Sequence, residues 1–157
     1  MTNVAYELGN QLKEKLVSSD NISSISYESL LIMGMGGSGV AGDVLKLFSN
    51  SQVSTEITVI KNYSIPKNLI EKKPFCLFIS YSGNTEETIS GLNEAIENNF
   101  NWAVISSGGK LIEMAKNHQK EFIQIPSGLQ PRAAFGYLSK AVSIFLDYNE
   151  NTNFALQ

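Results

Sequence analysis

Leu30-Leu31-Ile32-Met33-Gly34-Met35-Gly36-Gly37-Ser38-Gly39-Val40-Ala41-Gly42-Asp43 is the stretch that decides the fold. Apolar residues run without interruption into a loop in which positions 34, 36, 37 and 39 are glycine, and a helical pattern takes over at Val40. An apolar run with no alternation fits a strand buried on both faces, the habit of parallel sheets covered by helices on each side. Glycine turns the backbone tightly and brings N–H groups against a ligand with no Cβ in the way. The helix that follows directs its free N–H groups and positive dipole end to the same place, which favours an anion. Ser38 adds a hydroxyl donor.

Outward from this stretch the pattern repeats. Upstream, Val4, Leu8, Leu12 and Leu16 recur every fourth residue and predict an amphipathic helix over 4–18, followed by a loop at Asp20-Asn21-Ile22-Ser23-Ser24. Downstream of the first strand (30–33), a helix is expected from Val40 to about Asn50. Further strands are expected at Glu56–Ile60, Phe75–Ser80, Asn101–Ser106 and Glu121–Ile125. Helices are expected at Thr85 to about Asn98, Lys110–Asn117 and about Ala133–Tyr148. Strands separated by helices imply crossover connections and a three-layer α/β/α domain. The expectation is one domain over 1–157, with an α/β core over about 25–148 and five parallel strands in the flavodoxin-like order 2-1-3-4-5. In such sheets ligands sit beyond the carboxyl ends of the strands, where the strand order switches. The chemistry should lie just after the first and third strands.

The third strand runs directly into Ser80-Tyr81-Ser82-Gly83-Asn84-Thr85-Glu86-Glu87-Thr88. Ser80, Ser82 and Thr85 offer three hydroxyls within six residues. Thr85 can cap the helix that begins here, and Glu86 and Glu87 suit the dipole of its first turn. Capping accounts for one hydroxyl, not three beside a second glycine-rich loop. Neutral hydroxyls and backbone N–H groups hold a phosphate monoester reversibly. A P-loop, G-x-x-x-x-G-K-[ST], is absent, which speaks against a nucleoside triphosphatase. Gly34, Gly36 and Gly39 also match the dinucleotide fingerprint G-x-G-x-x-G. That fingerprint expects an acid at the end of the second strand. The strand ends instead in Val59-Ile60-Lys61, and only Lys61, facing a 2′-phosphate, would keep NADP open.

Composition narrows the classes. At 43% hydrophobic and 17% charged residues the chain is an ordinary globular protein. A net charge of −3, with Lys72-Lys73 its one adjacent basic pair, argues against nucleic acid as a partner. No run approaches a membrane span, and the N-terminus shows no signal peptide, so the expected compartment is the cytoplasm. The one cysteine, Cys76, lies inside Phe75-Cys76-Leu77-Phe78-Ile79 and reads as a buried, inert thiol. No cofactor and no metal site is expected.

The loop Ser80-Tyr81-Ser82-Gly83-Asn84-Thr85 resembles the S-x-S-G-x-T phosphate loop of the sugar isomerase (SIS) superfamily. Together with Gly34–Gly39 it looks like the bifunctional phosphoglucose/phosphomannose isomerases. A third element, from Pro126 through Pro131-Arg132 to Tyr137, is similar to that family's P-x-x-x-x-P-R-x-x-x-x-Y stretch. The resemblance implies that Gly37, Ser38, Ser80, Ser82 and Thr85 bind the phosphate of a hexose 6-phosphate, and that Arg132 stabilises an enediolate-like intermediate. It further implies a second SIS domain as partner, in another copy or another protein. That domain carries the family's base (a glutamate), ring-opening histidine and lysine, which have no counterpart here. His118 reads as an exposed helix end, and Glu86 and Glu87 belong to the capping pattern. A sugar-phosphate-sensing module without catalysis is the alternative.

Overall fold

The computed structural model describes residues 3–19, 22, 27–49 and 55–150. Its helices are α1 (Asn3–Lys13), α2 (Gly36–Ser49), α3 (Lys67–Ile70), α4 (Glu86–Glu97), α5 (Gly109–Asn117) and α6 (Phe135–Glu150). Its strands are β1 (Val17–Ser18), β2 (Ser29–Gly34), β3 (Glu56–Ile60), β4 (Phe75–Ile79), β5 (Trp102–Ser106) and β6 (Phe122–Gln124). They form one sheet in the order β1-β6-β5-β4-β2-β3. All neighbours are parallel except β1, which runs antiparallel to β6 with Val17 opposite Gln124.

Among the described residues the sheet therefore has six strands, not the expected five. The extra strand is two residues long and exposed at both, so it leaves no apolar run to read. It closes the outer edge of β6, where the Ser19 N–H donates to the Phe122 carbonyl at 3.0 Å and the Phe122 N–H to Ser19 Oγ at 3.1 Å. Forming it requires the chain to turn back, and α1 accordingly stops at Lys13 rather than 18. Asp20, Asn21, Ser23, Ser24 and Asn50, which fall in the expected loop and helix end, lie outside the described residues.

Successive side chains of a strand point to opposite faces, and both faces here are buried. Leu30, Ile32, Leu77, Ile79, Ala103, Ile105 and Ile123 pack with Ala41 and Leu45 of α2 and with Leu138, Ala141, Val142 and Phe145 of α6. Leu31, Met33, Cys76, Phe78, Trp102 and Val104 face Leu69 of α3, Leu92 and Ala95 of α4, and Leu111, Ile112 and Ala115 of α5. The layers are α/β/α, with α1 laid outside α6. Each fully buried leucine, isoleucine or phenylalanine contributes about 1.5–3 kcal/mol. Burial also pushes the Cys76 thiol up to about 12, so it stays protonated at neutral pH. Among the described residues no helix is long and apolar enough to cross a membrane.

Candidate functional site

The parallel strands β2 and β4 are neighbours, and the two loops singled out by sequence leave their carboxyl ends side by side. After β2, Gly36 takes φ +52°, a left-handed conformation suited to glycine, and α2 starts immediately, four residues earlier than the expected Val40. The glycines thus open the helix: the Ser38 and Gly39 N–H groups donate to the Met35 carbonyl at 3.1 and 3.3 Å, which leaves those of Gly36 and Gly37 without intrahelical acceptors. After β4, residues 80–85 form the turn that leads into α4. Both helix N-termini open on the same sheet edge, from opposite faces of the sheet.

The loops are joined directly. The Tyr81 N–H donates to Ser38 Oγ at 3.3 Å, and both residues are buried. Ser80 Oγ lies 2.7 Å from Thr85 Oγ1 and 3.5 Å from Ser82 Oγ, so the three hydroxyls form one cluster. Ser80 is buried, Thr85 half-buried and Ser82 exposed, so the cluster is open on one side. Thr85 does occupy the N-cap position of α4, but its hydroxyl makes no capping bond; it turns to Ser80 instead. The expected cap is in that respect corrected, because the partner 2.7 Å away holds the hydroxyl in the cluster.

Gly83 makes this turn possible. Its φ is +72°, and a Cβ there would lie 1.9 Å from the Gly108 carbonyl oxygen. Asn84 ties the turn to α5: its Oδ1 accepts the Lys110 N–H at 3.0 Å and its Nδ2 donates to the Ser82 carbonyl at 3.3 Å. Sequence patterning gives no reason to single out Asn84, since its partner lies 26 residues away.

Arg132 sits in a single turn of 3-10 helix, Pro131–Ala134, so α6 begins at Phe135, two residues after the expected Ala133. This turn lies over the glycine loop: a Cβ on Gly37 would be 3.7 Å from the Pro131 carbonyl oxygen and 3.8 Å from Arg132 Cα. The Arg132 side chain is exposed and makes no ion pair among the described residues. All six residues expected at the site thus meet at one corner of the sheet.

Other candidates fall elsewhere or are occupied. His118 caps the C-terminal end of α5 and meets the edge of the Trp102 ring at 5.8 Å. Trp102 opens β5, so His118 stands at the opposite sheet edge, on the order of 13 Å from the loops by strand length. Tyr63 lies beside Glu87, whose carboxylate raises the Tyr63 pKa. Lys61 pairs with Asp43 of α2 rather than standing clear for a 2′-phosphate. Among the described residues no three His, Cys, Asp or Glu side chains gather as metal ligands.

No protein-family model matches the chain. Among curated proteins, it is 37% identical over 133 residues to the bifunctional phosphoglucose/phosphomannose isomerase of Caldicellulosiruptor bescii, covering 85% of this chain and 37% of that one. It is 41% identical over 127 residues to the enzyme of the same description from Thermoplasma volcanium, covering 81% and 39%. The D-glucosamine-6-phosphate 4-epimerase of Sulfolobus acidocaldarius matches at 32% over 158 residues, covering 100% and 49%. The chain spans less than half the length of each of these relatives. Among solved structures, the tagatose-6-phosphate ketose/aldose isomerase of Escherichia coli superposes with a TM-score of 0.59 at 14% identity, covering 99% of this chain and 42% of that one. The Vibrio vulnificus NanR protein, complexed with ManNAc-6P, superposes with a TM-score of 0.61 at 11% identity, covering 95% and 56%.

Proposed function

Because the chain is a homologue of the bifunctional phosphoglucose/phosphomannose isomerases over most of its length and shares the SIS fold, we propose that it binds a hexose 6-phosphate and forms the substrate-binding half of a glucose-6-phosphate/mannose-6-phosphate isomerase. The observation that carries this reading is the cluster of Ser80, Ser82 and Thr85 hydroxyls, tied to the glycine loop through Ser38. The hydroxyls and the Gly36 and Gly37 N–H groups that open α2 supply donors for phosphate oxygens without a fixed positive charge.

Arg132 is then the group that meets the sugar. Moving a proton between C1 and C2 places negative charge on a sugar oxygen, and a guanidinium stabilises it. The base that moves this proton, and the groups that open the ring, come from a second SIS domain packed against this one. The relatives are more than twice as long as the stretch matched here, which leaves room for such a domain in them. The substrates named for these relatives, phosphoglucose, phosphomannose and D-glucosamine 6-phosphate, are all sugar phosphates, and a protein of this fold has been solved with ManNAc-6P.

A non-catalytic phosphosugar-binding module is the second reading. It is favoured by the sheet corner itself, where Glu86 and Glu87 fall in the first turn of α4 and His118 is remote. Thermal melts test the ligand class. At about a hundredfold excess over Kd, fructose 6-phosphate, glucose 6-phosphate or mannose 6-phosphate should raise Tm by about 5–10 °C. A shift produced by NADP alone would refute the proposal. Turnover by the isolated chain would place the base within it and remove the need for a second domain.

A further inference from the structure

The stretch from Pro126 to Gly136 carries Arg132 and is pinned on both sides by buried side chains that come from elsewhere in the chain. On one side stands Tyr81, which sequence patterning treats as a spacer between two serines. Its ring is buried, and its hydroxyl crosses the crest of the sheet from β4 toward the end of β6. There it donates to the Pro126 carbonyl at 3.2 Å and accepts the Leu129 N–H at 2.7 Å. On the other side stands Gln11 of α1, also buried. Its Nε2 donates to the Ala133 carbonyl at 2.7 Å, and its Oε1 accepts the Gly136 N–H at 3.0 Å. The approach is close: a Cβ on Gly136 would fall 2.7 Å from Gln11 Oε1.

We infer that Tyr81 and Gln11 are positioning residues for Arg132, with Tyr81 setting the spacing between the phosphate cluster and the guanidinium. This rests on the binding role proposed above. The backbone of Tyr81 belongs to the phosphate loop. Its N–H holds Ser38 Oγ at 3.3 Å, and its carbonyl accepts the Ser107 N–H at 3.0 Å and Ser107 Oγ at 2.6 Å. One residue therefore locks the glycine loop, the hydroxyl cluster and the arginine turn to a common frame. An exposed arginine with no ion pair among the described residues keeps its rotamer freedom, and what the fold can fix in advance is its Cα. Fixing it lowers the ordering cost for a ligand that spans both groups. A ligand that occupies the phosphate cluster alone gains nothing from it.

The test compares fructose 6-phosphate with inorganic phosphate by calorimetric titration of the wild-type chain, Tyr81→Phe, Gln11→Met, Arg132→Ala and Tyr81→Phe/Arg132→Ala. Tyr81→Phe removes only the hydroxyl and Gln11→Met keeps the side-chain length, so a folded variant remains available if one of them misfolds. Tyr81→Phe and Gln11→Met should each bind fructose 6-phosphate about 5-fold more weakly, with phosphate affinity unchanged. The double variant should bind no more weakly than Arg132→Ala, and the Leu129 amide should exchange faster in Tyr81→Phe while β4 and β5 keep their protection. Equal losses for both ligands, no loss for either, or a further loss on top of Arg132→Ala would overturn the inference alone. A wild-type chain that does not bind fructose 6-phosphate would overturn the binding role, and the inference with it.

Discussion

At the scale of single residues, the buried glycine at position 83 is the least tolerant of substitution. Its left-handed φ and the Gly108 oxygen, 1.9 Å from where a Cβ would stand, leave no room for a side chain. Gly83→Ala is expected to destabilise the chain by about 2–5 kcal/mol, the sum of left-handed strain and overpacking. Urea unfolding checks this, and a loss below about 1 kcal/mol would mean that the turn adopts another form. Residue chemistry was legible where it depended on local spacing. The three hydroxyls, the glycines and Arg132 all stood out. What was not legible was the direction of each hydroxyl. Thr85 reads as a cap from its position before Glu86 and Glu87, yet its hydroxyl bonds to Ser80, because a partner within 2.7 Å competes with the helix N–H groups. Tyr81 gave no signal at all, since its hydroxyl partners lie 45 and 48 residues downstream.

Among the elements, α1 and α6 form a pair whose contact the sequence marks only by an apolar stripe. Tyr137 of α6 donates its hydroxyl hydrogen bond to the Glu14 carboxylate, just past α1, and Lys140 Nζ donates to the Glu14 carbonyl at 2.5 Å. The bond to Glu14, with burial second, pushes the Tyr137 pKa from 10.0 to about 12. Between these values the folded chain holds a proton that the unfolded chain has released, so stability falls as pH rises. The contribution is complete below about pH 10 and lost by about pH 12. Tyr137→Phe should cost about 1 kcal/mol at pH 8. Its Tm should also fall less steeply than the wild type's between pH 10 and 12, the range set by the shift. Parallel pH slopes for the two proteins would contradict this. The strands buried on both faces were legible because their apolar runs are continuous; β1 was not, because pairing with β6 asks only for backbone groups. The end of α1 was missed for the same reason, as Leu16 continues the helical spacing beyond the residue where the backbone leaves it.

For the whole molecule, the parallel sheet and its helices could be read from the alternation of apolar runs and helical periods along the chain. The expected strand order also set the loops after the first and third strands beside each other; what could not be read is how the arginine turn, from a third part of the chain, comes to lie over them. The structure brings Gly37, Ser38, Ser80, Ser82, Thr85 and Arg132 to one corner through β2, β4 and the turn before α6. On the function proposed above, this corner holds the phosphate of a hexose 6-phosphate. Titration of fructose 6-phosphate into the wild-type chain and into Ser80→Ala/Ser82→Ala tests it most directly. Saturable binding by the wild type, with a loss of at least about 30-fold in a variant whose melt shows an intact fold, is the predicted result; removing two hydroxyls from an ionised phosphate takes about 1–3 kcal/mol each. A folded variant that binds as tightly as the wild type would contradict the account.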